Sequence, residues 1–243
     1  FLKWPTIRNI GYCPWNYLAS FLREYGGVSS EFRASLDEEI EDALSLSKKF
    51  AMPGLVTEYQ KDRGGWRGLP FGIGSLHLAV SKELLSVSAS SLVVRAGGLV
   101  RSTRNFVWRN SILDVDCEGI GDSVLSVIIN GEEIKRTPCL PNDRIKPGRN
   151  HVQVMATAES KECRLRSIDA EVLSHRTEKS ETVLVLEGSY SIQCVIEGFE
   201  NGRVSLRNPL TGDVLDFSVD PIPGTPFHVL RTRGGLVHLV FKY

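Results

Sequence analysis

The 243-residue sequence predicts a mixed chain in which helices come first and an antiparallel β-sandwich follows. Up to about residue 90, apolar residues recur at the three- and four-residue spacing of an amphipathic helix. From Leu92 onward, short β-rich runs alternate with turns that contain Gly, Asn and Pro. No helical pattern separates these later runs, which is typical of an antiparallel sandwich.

Three helices are predicted in the first part. The first covers residues 14–25, with Pro14 in its first turn and Gly26 just past its end. The second begins at a Ser35–Glu38 capping-box spacing and ends before Pro53. The third covers residues 75–88. A Gly-rich loop precedes it, and a loop of that length inside a compact domain is usually functional.

The second part is predicted to contain many short strands. They lie at residues 92–96, 112–117, 124–129, 152–157, 164–173, 182–186, 191–197, 204–206, 214–219 and 237–241. Asn130-Gly131 between two β-rich runs is a strong signal for a two-residue hairpin turn. Helical spacing ends near residues 89–98, so we expect two domains, 1–90 and 91–243.

Charge and hydropathy exclude some classes of partner. Lys+Arg and Asp+Glu both total 29, so the formal net charge is zero, and we expect neither nucleic acid nor an anionic membrane as partner. No apolar run reaches the roughly 18 to 20 residues of a transmembrane helix. One stretch combines basic and aromatic residues, namely Arg95, Arg101, Arg104 and Arg109 around Phe106 and Trp108. Such a stretch could bind an oligosaccharide or nucleic acid. The simpler interpretation is that these residues occupy outward-facing positions at the domain junction.

The five cysteines do not predict a metal site. They form no CxxC pair and lack a His at zinc-ligand spacing. One or two disulfides are possible among the four in the strand-rich part. We expect no metal and no cofactor, since no phosphate-cradling loop is present either. His151, His175, His228 and His238 accompany no nucleophile motif, which disfavours a Ser or Cys hydrolase.

Two segments resemble one glycosidase clan. Residues 7–18 carry Arg8, Pro14, Asn16, Tyr17 and Leu18 in the register of a Trp-Arg-Gly-Pro-x-Trp pattern followed by Pro, Asn, Tyr and Leu. Residues 54–75 carry Glu58 and Tyr59 before a Gly-rich loop and a Phe-Gly start to a helix. Both segments resemble (α/α)6-barrel glycosidases around glycoside hydrolase family 63 and amylo-α-1,6-glucosidase-like proteins. The resemblance implies that residues 1–90 are the last helices of an (α/α)6 toroid.

Glu58 is the candidate catalytic residue. The resemblance assigns it the general-base role in an inverting mechanism, in which two carboxyl groups lie about 6.5 to 9.5 Å apart with a water between them. The alternative is a loop Glu paired with Lys61 or Arg63. The general acid has no candidate in this sequence, because in this clan it lies upstream.

The candidate sugar contacts are planar polar and aromatic side chains, which fix hydroxyl groups and stack on sugar rings. They are Arg8, Tyr12, Asn16, Tyr59 and Trp66. Asn16 could instead cap a helix.

The function expected from the sequence is the C-terminal part of an inverting glycoside hydrolase acting on α-linked glucosides or related oligosaccharides. An upstream or partner polypeptide would complete the barrel. The alternative is a non-catalytic carbohydrate-binding or assembly subunit that uses the β-sandwich. The compartment cannot be read from the sequence.

Overall fold

The computed structural model describes residues 84–88, 91–98, 100–121, 123–158, 162–178, 180–200 and 202–242. These residues belong to one compact unit, Leu84–Tyr243. The first two predicted helices, and the third up to residue 83, lie outside this part of the chain. The structure therefore tests the predicted fold mainly in its β-rich part.

The described residues form β-strands joined by turns and one short 3₁₀ helix, Asn142–Arg144. The strands are β1 (Leu85–Ser88), β2 (Ser91–Val94), β3 (Ser102–Trp108), β4 (Ser111–Gly119), β5 (Ser123–Ile129), β6 (Glu132–Lys135), β7 (Cys139–Leu140), β8 (Gly148–Thr157), β9 (Arg164–Ile168), β10 (Glu171–Thr177), β11 (Glu181–Glu197), β12 (Val204–Arg207), β13 (Ser218–Pro221) and β14 (Phe227–Lys242).

The predicted fold class is wrong for this part of the chain. It contains no α-helix, and so no element of an (α/α)6 toroid. Residues 85–88, predicted as the end of the third helix, form β1, which pairs with β2 in the register Leu85↔Val94. A short apolar run fits helical and strand spacing equally well, and here pairing with a neighbouring strand decides the outcome.

The strands form three sheets instead of a simple antiparallel sandwich. A three-stranded sheet has the order β1-β2-β7 and a five-stranded sheet the order β3-β4-β8-β5-β6. In the five-stranded sheet β4 and β8 run parallel, with Asp116 opposite Gln153. The third sheet has the order β10-β11-β14-β12, with β9 on β11 and β13 on β14.

The three-stranded sheet is shared by two hydrophobic cores. On β2, Leu92 and Val94 pack into the core of the five-stranded sheet, whereas Val93 packs into the core of the six-stranded sheet. On β7, Leu140 packs into the core of the five-stranded sheet and Cys139 into the core of the six-stranded sheet. Successive side chains of a strand point to opposite faces, so a strand buried on both faces feeds both cores.

Polar contacts also join the two larger sheets. The buried Arg164 on β9 donates from Nη1 to the carbonyl oxygen of Val124 on β5, at 2.6 Å. Ser123 on β5 donates its hydroxyl to Glu197 on β11, at 3.3 Å. A hydrogen bond to a charged group is worth more than a neutral one, about 1.5 to 3 kcal/mol. These contacts add directional links to the apolar packing.

The pairing of β11 with β14 is irregular where the two backbones approach each other closely. The register of this pair shifts between Gly188 and Ser191. A Cβ atom on Gly234 would lie 2.7 Å from the carbonyl oxygen of Gly188 and 2.8 Å from backbone carbons of the next two residues. Only glycine allows this close approach of two backbones. The continuous strand β11 covers the two separate strands predicted at residues 182–186 and 191–197.

The Asn130-Gly131 hairpin is confirmed. It joins β5 to β6 in the register Ile129↔Glu132, with φ angles of 51° at Asn130 and 91° at Gly131. Both residues lie in the left-handed region that a type I′ turn requires. The predicted strand 164–173 turns between Ile168 and Glu171, so it is two strands, β9 and β10.

Val93→Ala tests the shared sheet. Val93 is 3% exposed, and removing its two methyl groups leaves a cavity in one of the two cores. We expect the free energy of unfolding to fall by about 2 kcal/mol in urea denaturation. The matched control is Val107→Ala on β3, where the side chain is 69% exposed and the expected change is within about 0.5 kcal/mol. Equal losses in the two variants would contradict the shared-sheet packing.

Candidate functional site

The predicted site residues lie outside the described part of the chain. These are the candidate base Glu58 and the candidate sugar contacts Arg8, Tyr12, Asn16, Tyr59 and Trp66. Their assignment, and the glycosidase activity that depends on them, stay predictions. The (α/α)6 barrel does not extend into the described residues, whose three sheets show a different architecture.

The arginines around β3 are engaged in contacts with the protein itself. Arg104 contacts Asp116 at 2.6 Å, Arg109 contacts Glu171 at 2.8 Å, and Arg101 donates to the carbonyl oxygen of Gly119 at 2.6 Å. Polyanion binding needs basic groups that neutralise phosphates. The pairing therefore favours the interpretation of these arginines as outward-facing structural residues.

A groove of about 340 Å³ lies on the outer face of the five-stranded sheet. Its lining residues come from β4, β8, β5 and the β5–β6 turn: Asp116, Glu118, Ile128, Gly131, His151, Val152 and Gln153. Asp116, Gln153 and Ile128 lie opposite one another across three adjacent strands. The groove thus combines an apolar strip at Ile128 with acid, amide and imidazole groups at strand positions.

The polar groups of the groove are held by hydrogen bonds. Gln153 donates from Nε2 to Oε1 of Glu118, at 2.6 Å. Arg104 donates from Nη2 to Oδ1 of Asp116, at 2.6 Å. The backbone amide of His151 donates to Oδ1 of Asn130, at 3.0 Å. The side chains of Gln153, Glu118 and Asp116, fixed in this way, lose less rotational entropy when a ligand binds.

Asn150 anchors the turn that forms one end of the groove. Its side chain is fully buried and makes four hydrogen bonds. Oδ1 accepts from Asn130 Nδ2 and from the backbone amide of Lys146, both at 2.9 Å. Nδ2 donates to the carbonyl oxygens of Lys146 and Gly148, at 2.7 and 3.0 Å. All hydrogen-bonding capacity of this buried amide is used, so it holds the Asn130-Gly131 turn against β8.

Asp114 lies on β4 beside the groove. The backbone amide of Asn105 donates to Oδ1 of Asp114 at 2.9 Å, and Arg149 contacts its other oxygen. These two hydrogen bonds, the Asn105 amide first, hold the pKa of the Asp114 carboxyl below its ordinary value. Asp114 is therefore ionised and compensated at neutral pH.

The cysteines in the described part are buried free thiols, and the predicted possibility of disulfides is not realised among them. They are Cys117, Cys139, Cys163 and Cys194. Burial raises the pKa of Cys139 to about 12 and that of Cys163 to about 11. A thiol with so high a pKa is a poor nucleophile at neutral pH, because the thiolate is the reactive form.

No metal site is formed by the described residues, in which no three His, Cys, Asp or Glu side chains are grouped to hold an ion. The same residues include no helix long and apolar enough to cross a bilayer. In the groove, Asp116 and Glu118 supply carboxylates, His151 an imidazole and Gln153 an amide.

Comparison with known proteins gives no match, whether to a protein-family model, to a curated protein or to a solved structure. The interpretation of the groove rests on its own geometry. The resemblance of residues 7–18 and 54–75 to glycosidases likewise stays a prediction.

The groove is not among the sites predicted from the sequence. His151 is one of several scattered histidines there, and Asp116, Glu118 and Gln153 belong to no recognised motif. One available signal was the two-residue spacing of the acidic positions 114, 116 and 118 between apolar positions 113, 115 and 117. That alternation places three carboxylates on the outer face of one strand.

His175 on β10 makes folding stability depend on pH. Its ring is buried, with Nε2 donating to the carbonyl oxygen of Lys135 at 3.2 Å, and burial lowers its pKa from the ordinary 6.5. As pH falls below about 6.5, the unfolded chain binds a proton that the folded chain does not yet accept. The free energy of unfolding therefore decreases on acidification.

His175→Gln should flatten this dependence, because Gln keeps a donor for Lys135 but does not titrate. The measurement is urea denaturation at several pH values on both sides of pH 6.5. His151→Gln is the matched control, since His151 is exposed on β8 and that variant should retain the dependence that His175 produces. A slope that persists in full in the His175 variant would contradict the assignment.

Proposed function

We propose that the β region formed by residues 84–242 is a non-catalytic carbohydrate-binding module whose site is the groove on the five-stranded sheet. The observation that carries the proposal is the convergence of Asp116, Glu118, His151 and Gln153 on one groove of about 340 Å³. Binding sites for small molecules are concave and lined by apolar surface with a few fixed polar groups.

The chemistry of the lining suits a sugar. Carboxylates accept hydrogen bonds from hydroxyl groups, and the amide of Gln153 and the imidazole of His151 can both donate and accept. Ile128 offers an apolar surface for the C–H face of a ring. Each of these groups lies on a strand or at a turn held by Asn130 and Asn150, so the arrangement exists before a ligand arrives.

The groove also sets the expected strength of binding. The described residues that line it include no Phe, Tyr or Trp, so they offer no ring for the stacking that strengthens many sugar complexes. Hydrogen bonds between ligand and protein replace hydrogen bonds to water and contribute about 1 kcal/mol each. We therefore expect a Kd on the order of 1 mM for a short neutral oligosaccharide.

Titration of the full chain with maltotetraose, followed by ¹H–¹⁵N correlation spectra, tests the proposal. Shifts should concentrate on the amides of residues 116, 118, 128, 151 and 153. Gln153→Met keeps the length of the side chain and removes both polar atoms, so the affinity should fall about fivefold.

Gln193→Met is the control for this titration. Gln193 has the same side chain on β11 of the six-stranded sheet, where it accepts a hydrogen bond from Arg231 at 3.2 Å. That variant should bind maltotetraose as the natural chain does. Binding that Gln153→Met leaves intact but Glu58→Gln abolishes would place the sugar site outside the β region and overturn the proposal.

A further inference from the structure

The carboxylates on and beside the groove differ in whether a cationic side chain neutralises their negative charge. Asp116 has the guanidinium of Arg104 at 2.6 Å, and Asp114 is paired with Arg149. Glu118 makes no ion pair within the described residues, where its side chain accepts a hydrogen bond from the neutral amide of Gln153. Among the described residues that line the groove, Glu118 is therefore the one carboxylate without a cationic partner, and Gln153 holds it in place.

Glu118 retains capacity to bind a ligand. A carboxylate offers about four acceptor positions, and the bond from Gln153 uses one of them, at Oε1. An ammonium group donates up to three hydrogen bonds and adds a Coulombic attraction that a hydroxyl lacks. The partner that best complements this wall of the groove is a primary ammonium.

We infer that the groove selects an amino sugar, a carbohydrate with a protonated primary amine, over the corresponding neutral sugar. This inference rests on the proposed function. The ammonium contacts Glu118, while the ring lies along Ile128 and its hydroxyls meet Asp116, His151 and Gln153. Sugars with a carboxylate are disfavoured, because a second negative charge would face Glu118.

The remainder of the groove favours a sugar over a linear polyamine. A linear polyamine has no hydroxyl groups for Asp116, His151 and Gln153, so the groove complements little of it beyond one ammonium at Glu118. Ile128 and Val152 add apolar surface to the lining. These groups match a ring with hydroxyls better than a chain of charges.

Two tetrasaccharides with the same backbone test the inference. The β-1,4-linked glucosamine tetramer carries ammonium groups, and the N-acetylglucosamine tetramer carries neutral amides at the same positions. In titrations of the full chain at about pH 6, where the amines of the glucosamine tetramer are protonated, this tetramer should bind about three- to fivefold more tightly, the effect of one exposed ion pair. Added salt should reduce this preference.

Glu118→Gln keeps an acceptor for Gln153 and removes the charge. It should abolish the preference, so that the two tetramers bind the variant with equal affinity. Glu133→Gln is the control, because Glu133 is exposed on the neighbouring β6 and pairs with Lys135 at 3.3 Å. That variant should retain the preference.

The outcomes separate the inference from the proposed function. Equal binding of both tetramers at the groove overturns the amino-sugar inference and leaves carbohydrate binding standing. A preference that survives Glu118→Gln, or spermidine binding as tightly as the glucosamine tetramer, also overturns it. If no tested saccharide shifts the groove amides, the proposed function itself fails.

Discussion

Burial of β2 on both faces is the constraint on which the rest of the β region depends. Leu92, Val93 and Val94 are each at most 3% exposed, and they alternate between two cores. Ser91 precedes this apolar run, and its hydroxyl accepts a hydrogen bond from the amide of Val172 at 2.7 Å, so its polar atom is satisfied where β2 meets β10. A polar side chain without such a partner would be costly at these positions.

This packing explains how the groove is positioned. The inner face of the five-stranded sheet is fixed by its core, through residues such as Leu113, Val115 and Val154. Because side chains alternate along each strand, the same contacts fix which residues face outward. If β4 slipped by one residue, Asp116 would enter the core in place of Val115. Burial of the apolar face therefore also fixes which polar side chains line the groove on the opposite face.

The sequence predicts the local features of this structure better than its long-range ones. The Asn130-Gly131 turn was predictable because both residues tolerate left-handed φ angles in a two-residue hairpin. The groove was not predictable, because it forms only when β4 and β8 pair in parallel with Asp116 opposite Gln153. Nothing in the 36 residues between these two positions specifies that register. The strand β1 was mistaken for a helix because Leu84, Leu85 and Val87 fit both spacings, and only its partner β2 distinguishes them.

Native-state hydrogen exchange tests the shared sheet most directly. If β2 is common to both cores, neither large sheet can open without exposing it. The amides of β2, of β8 and of the second half of β14 should then exchange with one common opening free energy, equal to that of global unfolding. Val93→Ala should lower this value by the same amount in all three strands. Separate opening free energies for β8 and β14, with only β14 responding to the substitution, would show two independent cores and contradict the account.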